Sequence, residues 1–294
     1  MIKLEGTYTA IVTPFKTVGG MIAAEPDFAA LRELVEWQVD SGVSGIVVLG
    51  TTGESVTLTD AEKIDIVKCV VDTVKGRVTI IVGTGSNDTR KSINFSQNVR
   101  GLGVNAALAV APYYNKPTQE GLFQHFSALA RDGGLPVCLY NVPGRTSVDI
   151  RAETVARLAK VPGIIGIKES SGSAERLLEL AAIESAEFSL LTGDDHLICF
   201  CMAAGGRGAI SASANVIPKQ ITEIVRAGLE RNQEKCLAAQ LKALPLIKAL
   251  FLETNPAPAK AALQIMGKIK SDELRLPLVA VTESTRNILR NLLR

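Results

Sequence analysis

Short apolar runs recur along the chain, and between them apolar residues fall at three- and four-residue spacing. The runs predict buried strands, and the spaced positions predict helices with one buried face. The expected strands are residues 7–12, 45–49, 78–82, 105–110, 136–140, 163–167, 188–191 and 208–211. Most are near-continuous in apolar residues, as a parallel sheet covered on both faces requires. Phe28, Leu31, Leu34, Val35 and Val39 share one helix face, closed by Gly42 in a C-terminal cap position. Thr59-Asp60-Ala61-Glu62 is a capping box ahead of Ile64, Val67, Val70, Val71 and Val74. Thr118 caps a helix bearing Leu122, Phe123, Phe126 and Leu129, and weaker helical patterns cover 88–101, 152–160 and 197–204. Another starts near Ser173 and carries Leu177, Leu178 and Ala181.

Eight strands alternating with helices predict a (β/α)8 barrel over residues 1–217. The competing fold, a doubly wound open sheet, usually carries a Gly-rich phosphate turn after its first strand. Here Thr13-Pro14-Phe15 stands there. After Ser211 the strand signals stop. Helical patterns at 218–228, 232–252, 258–266 and 283–293 predict a C-terminal helical domain, 218–294, packed on the barrel or on a partner subunit.

Composition narrows the class. The 294 residues are 47% hydrophobic and 21% charged, and 32 basic against 30 acidic residues leave a net charge of +2. That is the balance of an ordinary globular protein, with no basic block to suggest nucleic acid. No apolar run approaches the roughly 18 residues of a membrane span, and residues 1–6 carry no signal-like segment. Five scattered cysteines in mostly apolar surroundings fit reduced thiols and a cytoplasmic protein.

In a barrel of this kind the chemistry sits at the C-terminal ends of the strands. That rule collects Thr51, Thr52 and Glu54 after the second strand, and Tyr113 and Tyr114 after the fourth. It adds Tyr140 and Arg145 after the fifth, Lys168 at the end of the sixth, Gly193 and Asp194 after the seventh, and Ile210 with Ser211 at the eighth. Three of the four tyrosines fall on this rim. Burial disfavours the ammonium form of a lysine, and a neutral amine attacks carbonyl carbon, so Lys168 is a candidate Schiff-base former. Taken alone, the stretch 163–172 favours a strand-end lysine that reaches out to solvent. The rim residues shift that balance. A phenol such as Tyr140 can relay protons, backbone N–H groups of Gly50-Thr51-Thr52-Gly53 can hold a carboxylate, and Arg145 offers a planar fork for another. Each also has a structural reading: Arg145 as a surface residue beside a Pro-Gly turn, Thr51 and Thr52 as turn formers, Glu54 as a loop cap. For Glu54 the structural role is favoured.

Other chemistries find less support. His125 and His196 are the only histidines, which leaves few options for a Ser-His-Asp triad. His196, Cys199 and Cys201 lie in an apolar helical segment and read as core, not as metal ligands. Gly205-Gly206-Arg207-Gly208 falls near the usual barrel phosphate site and hints at a phosphorylated ligand.

Four motifs stand in order: Gly50-Thr51-Thr52-Gly53-Glu54, Tyr113-Tyr114-Asn115-Lys116-Pro117, Tyr140-Asn141-Val142-Pro143-Gly144-Arg145-Thr146 and Gly166-Ile167-Lys168-Glu169. Together with Glu253-Thr254-Asn255-Pro256 and Leu274-Arg275-Leu276-Pro277, they make the chain resemble the dihydrodipicolinate synthase family. That family belongs to the N-acetylneuraminate lyase superfamily of class I pyruvate aldolases. The resemblance implies a lyase of lysine and diaminopimelate biosynthesis. It implies a Schiff base between Lys168 and pyruvate, and a proton relay of Thr51, Tyr140 and Tyr114, with Tyr114 reaching into a neighbouring subunit's site. It further implies that Thr52 holds the pyruvate carboxylate, that Arg145 binds aspartate 4-semialdehyde, and that Gly193 and Ile210 line the pocket through backbone groups. A homotetramer built as a dimer of dimers, with no metal or organic cofactor, follows from the same resemblance. N-acetylneuraminate lyase, or another pyruvate aldolase, is the alternative. It typically has Ser-Thr where Thr51-Thr52 stand and lacks arginine at the position of Arg145. In lysine-inhibited members the inhibitor lies near positions matching Ser55, Val56, Asp60, Lys63, Asn87, Lys91 and Tyr113. Lys63 and Lys91 place positive charge there, so weak inhibition by L-lysine is expected.

Overall fold

The computed structural model describes residues 2–17 and 24–294. Eight parallel strands form a closed barrel: β1 Gly6–Ala10, β2 Gly45–Val48, β3 Thr79–Gly83, β4 Ala106–Val110, β5 Val137–Asn141, β6 Ile164–Glu169, β7 Ser189–Thr192 and β8 Gly208–Ser211. Each pairs with its sequence neighbour, and β1 closes the ring by pairing with β8 (Tyr8 opposite Ile210) and β2 (Tyr8 opposite Gly45). The strands are apolar throughout because both faces are covered. Val47, Ile81, Leu108, Cys138 and Ile210 point into the barrel, where they pack with Tyr8 and Tyr140. Ile46, Val48, Ile80, Val82 and Leu139 point outward and pack under the helices. This is the two-residue alternation of strands, read on both sides.

The helices begin where their caps predict. In Asp60–Val74 the Thr59 hydroxyl accepts from the Glu62 N–H, and the Glu62 carboxylate accepts from the Thr59 N–H at 2.8 Å. The Thr118 and Ser173 hydroxyls cap Gln119–Asp132 and Ala174–Ala181 by accepting from the Gly121 and Arg176 N–H groups. Pro218–Leu229, grouped by sequence with the C-terminal helices, packs on β1 and β8. It therefore covers the seam where the barrel closes, and helices Gln233–Ala249, Ala257–Ile265 and Glu283–Leu292 follow it. The sequence pattern contains no signal for the small antiparallel pair Phe15–Thr17 and Ala24–Pro26, or for the short helix Pro143–Thr146.

One buried histidine makes the fold sensitive to acid. His125, on Gln119–Asp132, meets Thr89 Oγ1 through Nδ1 at 2.8 Å, and burial pushes its pKa down to about 4. The unfolded chain takes up that proton near pH 6.5 and the folded chain only near pH 4. Stability from this residue is thus present above pH 6.5 and is lost as pH falls through that window. Urea unfolding at pH 7 and pH 4.5 is expected to show a loss of about 2–3 kcal/mol that His125→Gln does not show.

Candidate active site

At the C-terminal end of the barrel lies a cavity of about 310 Å³. Thr51, Tyr113, Tyr140, Arg145 and Asn255 line it, with Leu49, Leu108 and Val142 as its apolar wall. Tyr140 ends β5 and Lys168 stands opposite it on β6. The Lys168 amine lies 4.2 Å from the centre of the Tyr140 ring, and both residues are buried.

Lys168 faces inward because β6 is not regular. Val137 pairs with Ile164, but Cys138 pairs with Gly166, so Ile165 is an extra residue in the strand. Ile165 already points into the barrel, and strict alternation from it would turn Lys168 outward. The bulge resets the alternation and sends Lys168 inside with Cys138 and Tyr140. Two glycines give the strand and the amine room. A Cβ on Gly166 would sit 2.4 Å from the Ser189 carbonyl oxygen, and one on Gly193 would sit 2.4 Å from Lys168 Cε and 2.0 Å from Ser170 Oγ.

Glu169 follows Lys168 in the strand, and Asp194 and Asp195 lie close enough for their charges to interact with it. Glu169 accepts from Asn141 Nδ2 at 3.0 Å and from the Ser171 N–H at 2.8 Å, and burial raises its pKa. Asp194 accepts from the Gly172 N–H at 2.7 Å and Asp195 from the Ser213 N–H at 2.8 Å; burial raises both.

The loop after β2 forms two short 3-10 turns, Thr51–Gly53 and Ser55–Thr57, with Glu54 between them in the left-handed region at φ 53°. Glu54 is a structural residue. Its carboxylate meets Lys260 Nζ at 2.5 Å, and it accepts from the Arg275 N–H at 3.1 Å. Lys260 has no solvent exposure at all, donates to the Glu273 carbonyl at 2.8 Å and lies 4.0 Å from the centre of the Phe15 ring. Burial lowers its pKa to about 8 even against the pull of Glu54. Arg275 adds an ion pair to Glu62 and holds that carboxyl down at about 2. Above Thr52, Asn255 Nδ2 donates to the threonine hydroxyl at 2.9 Å, and the Asn255 carbonyl accepts from Arg145 Nη2 at 3.1 Å.

The expected residues are brought together unevenly. Thr51, Tyr140 and Arg145 line the cavity; Thr52 lies buried beside it, and Lys168 contacts Tyr140. Gly193 packs on Lys168, and Ile210 is enclosed in the inner barrel core without lining the cavity. Tyr114 does not reach the cavity of its own chain: it is 89% exposed, at φ 73°. Gly205-Gly206-Arg207-Gly208 precedes β8 and so lies at the opposite end of the barrel, which overturns its reading as a phosphate loop. Arg207 is paired there with Glu184 at 2.5 Å and Glu5 at 3.6 Å, and a Cβ on Gly206 would strike the Cys201 sulfur. The residues that the rim rule could not find are Asn255, Lys260 and Arg275, which come from beyond the last strand.

A (β/α)8 barrel with an inward lysine at the end of β6, facing a tyrosine, defines a barrel enzyme built for carbonyl chemistry. The chain belongs to the dihydrodipicolinate synthetase family, whose model matches residues 3–294. It is 45% identical over 290 residues to the 4-hydroxy-tetrahydrodipicolinate synthase of Syntrophus aciditrophicus, covering 99% of this chain and 97% of that one. Its fold superposes on the dihydrodipicolinate synthase of Thermotoga maritima with a TM-score of 0.95 at 41% identity, covering 99% of this chain and 98% of the other. A chloride-inhibited dihydrodipicolinate synthase from Acinetobacter baumannii, complexed with pyruvate, gives 0.93 at 41% identity, covering 98% and 97%.

The Glu54–Lys260 contact is testable as a buried ion pair. Lys260→Ala is expected to destabilise the protein by about 3–5 kcal/mol in urea unfolding, because Glu54 stays buried without its counter-charge. The double variant Glu54→Gln/Lys260→Met, which keeps an acceptor for the Arg275 N–H, is expected to recover most of that loss.

Proposed function

We propose that this chain condenses pyruvate with L-aspartate 4-semialdehyde to give 4-hydroxy-tetrahydrodipicolinate, through a Schiff base on Lys168. The observation that carries the proposal is the Lys168 amine held inside the barrel against Tyr140, beside a cavity lined by Thr51 and Arg145. The amine adds to the ketone carbon of pyruvate, and water leaves as the imine forms. Loss of a methyl proton gives the enamine, which bonds to the aldehyde carbon. The amine of the condensed chain then displaces Lys168 as the ring closes, and the enzyme is free again. Several of these steps need a proton moved, and Tyr140 with Thr51 supplies the hydroxyls for it. Thr52 and its loop hold the pyruvate carboxylate, and Arg145 holds the carboxylate of the aldehyde. Gly193 leaves room for the Lys168 side chain, and Ile210 packs in the inner barrel core. Residues 1–217 carry the reacting groups, and 218–294 supply the helices that brace them.

Tyr114 fits a role in trans. An exposed aromatic side chain on a left-handed backbone is a poor solitary arrangement, and a second subunit would cover it. Leu237 and Leu241, one turn apart on Gln233–Ala249, and Phe200 are exposed as well, which supports another contact between copies. A homotetramer, a dimer of dimers, is the assembly these surfaces support, working in the cytoplasm without a metal or organic cofactor. The lyase alternative is disfavoured by Thr51-Thr52 and Arg145, and it predicts cleavage of N-acetylneuraminate.

Borohydride reduction in the presence of pyruvate is expected to leave a stable adduct on Lys168, found by peptide mass mapping. Lys168→Ala should abolish both adduct and condensation; a fully active Lys168→Ala enzyme would sink the proposal. A second expectation concerns feedback. Lys63, paired with Asp60 at 3.1 Å, and Lys91 line an adjoining cavity of about 550 Å³ that shares Ser55 and Tyr113 with the first. Asp60 lines the same cavity and offsets Lys63, so Lys91 leaves a net positive charge that opposes a cationic amino acid. Half-maximal inhibition by L-lysine is therefore expected only above about 1 mM, measured in the coupled condensation assay.

A further inference from the structure

Asn255 touches both carboxylate anchors and belongs to neither. It is buried, it lines the cavity, and it reaches the barrel mouth from the turn between helices Gln233–Ala249 and Ala257–Ile265. Its side-chain amide donates to Thr52 Oγ1 at 2.9 Å, and its backbone carbonyl accepts from Arg145 Nη2 at 3.1 Å. A threonine hydroxyl has one proton and two acceptor sites. Once an amide N–H fills an acceptor site, the hydroxyl proton stays free for another acceptor. The guanidinium is fixed at the same time by a carbonyl that no side-chain change removes.

We infer that Asn255 is a positioning residue for the condensation. It aims the Thr52 hydroxyl proton at the pyruvate carboxylate, and it sets the place of Arg145 for the second carboxylate. The inference rests on the roles of Thr52 and Arg145 proposed above. The mounting at either end is stiff. Glu54 lies two residues past Thr52, Lys260 lies on the helix that begins just after Asn255, and the two form the buried ion pair. The span between the two substrate carboxylates is thereby set by the C-terminal helices as well as by the barrel.

A double-mutant cycle separates this inference from the reading beneath it. Thr52→Val, Asn255→Ala and their combination would be compared by KM for each substrate, kcat and melting temperature. Each single change is expected to raise the pyruvate KM about three- to tenfold. The double variant should be no worse than the worse single, because Asn255 acts through Thr52. Asn255→Ala should leave the aldehyde KM within about twofold, since its backbone carbonyl remains. Asn255→Asp is the sharper probe. It keeps the shape, but its carboxylate accepts a hydrogen bond from the Thr52 hydroxyl and repels the substrate carboxylate, so its pyruvate KM should exceed that of Asn255→Ala. A purely structural asparagine predicts the reverse order. Multiplicative singles, an unmoved pyruvate KM in Asn255→Ala, or a benign Asn255→Asp would overturn the inference alone. An unmoved pyruvate KM in Thr52→Val would overturn the Thr52 role and the inference with it. Should Asn255→Ala fail to fold, the comparison of Asn255→Asp with wild type decides.

Discussion

Lys260 and Glu54 meet where the C-terminal helices cross the open end of the barrel, and neither has appreciable contact with water. Desolvating two charges offsets most of their attraction, so a buried pair of this kind adds little net stability. Its consequence is geometric. Glu54 sits in the left-handed region directly after Thr51-Thr52-Gly53 and also takes the Arg275 N–H. Arg275 in turn binds Glu62, the Thr57 carbonyl at 2.8 Å and the Ala24 carbonyl. Phe15 lies against both cations, 4.0 Å from Lys260 and 4.8 Å from Arg275. One lysine and one arginine from the end of the chain thus fasten the loop after β2, the strand pair at Phe15–Thr17 and the start of helix Asp60–Val74. Any substrate carboxylate held by that loop is held relative to the C-terminal helices.

The second constraint is the bulge in β6. A barrel strand alternates inward and outward, which fixes the face of every side chain along it. The inserted Ile165 changes that parity once, between the lower barrel and the rim. Below it, Ile165 fills the inner core; above it, Lys168 takes the inward place beside Tyr140. Gly193 on the next strand's exit then has to be small, since any Cβ would occupy the space of Lys168 Cε. The position of the amine is therefore a property of three strands, not of the lysine alone.

These particulars explain which features the sequence made legible. Strands and helices are local, and their periodicity, the Thr59–Glu62 capping box and the Thr118 and Ser173 caps are written in adjacent residues. Rim residues follow from topology, so Thr51, Tyr140, Arg145 and Lys168 could be collected before any coordinates. Long-range partnerships are not local. Asn255 meets Thr52 across 203 residues, and Arg275 meets Glu54 across 221. The parity change at Ile165 depends on pairing with β5 and leaves no mark in the run of isoleucines. The misplaced Gly205–Gly208 loop was a matter of direction: it enters a strand, and the chemistry lies where strands leave. Lys260 did carry a signal. It is a single cation in Ala257-Pro258-Ala259-Lys260-Ala261-Ala262-Leu263, the same lone-lysine pattern that singled out Lys168.

The two buried lysines show how one residue type is assigned opposite work by its partners. Lys260 faces a carboxylate at 2.5 Å, a backbone carbonyl at 2.8 Å and an aromatic ring. Its amine is engaged by the Glu54 carboxylate and the Glu273 carbonyl and is wholly enclosed. Lys168 meets the face of Tyr140 beside a cavity, and the nearby Asp194 and Asp195 carboxyls accept from the Gly172 and Ser213 N–H groups. A ring face is a weaker and less directional partner for a lysine than a carboxylate is. The lysine held only by a ring face beside the cavity is the one the proposed reaction uses, and the fully paired lysine holds the wall beside it.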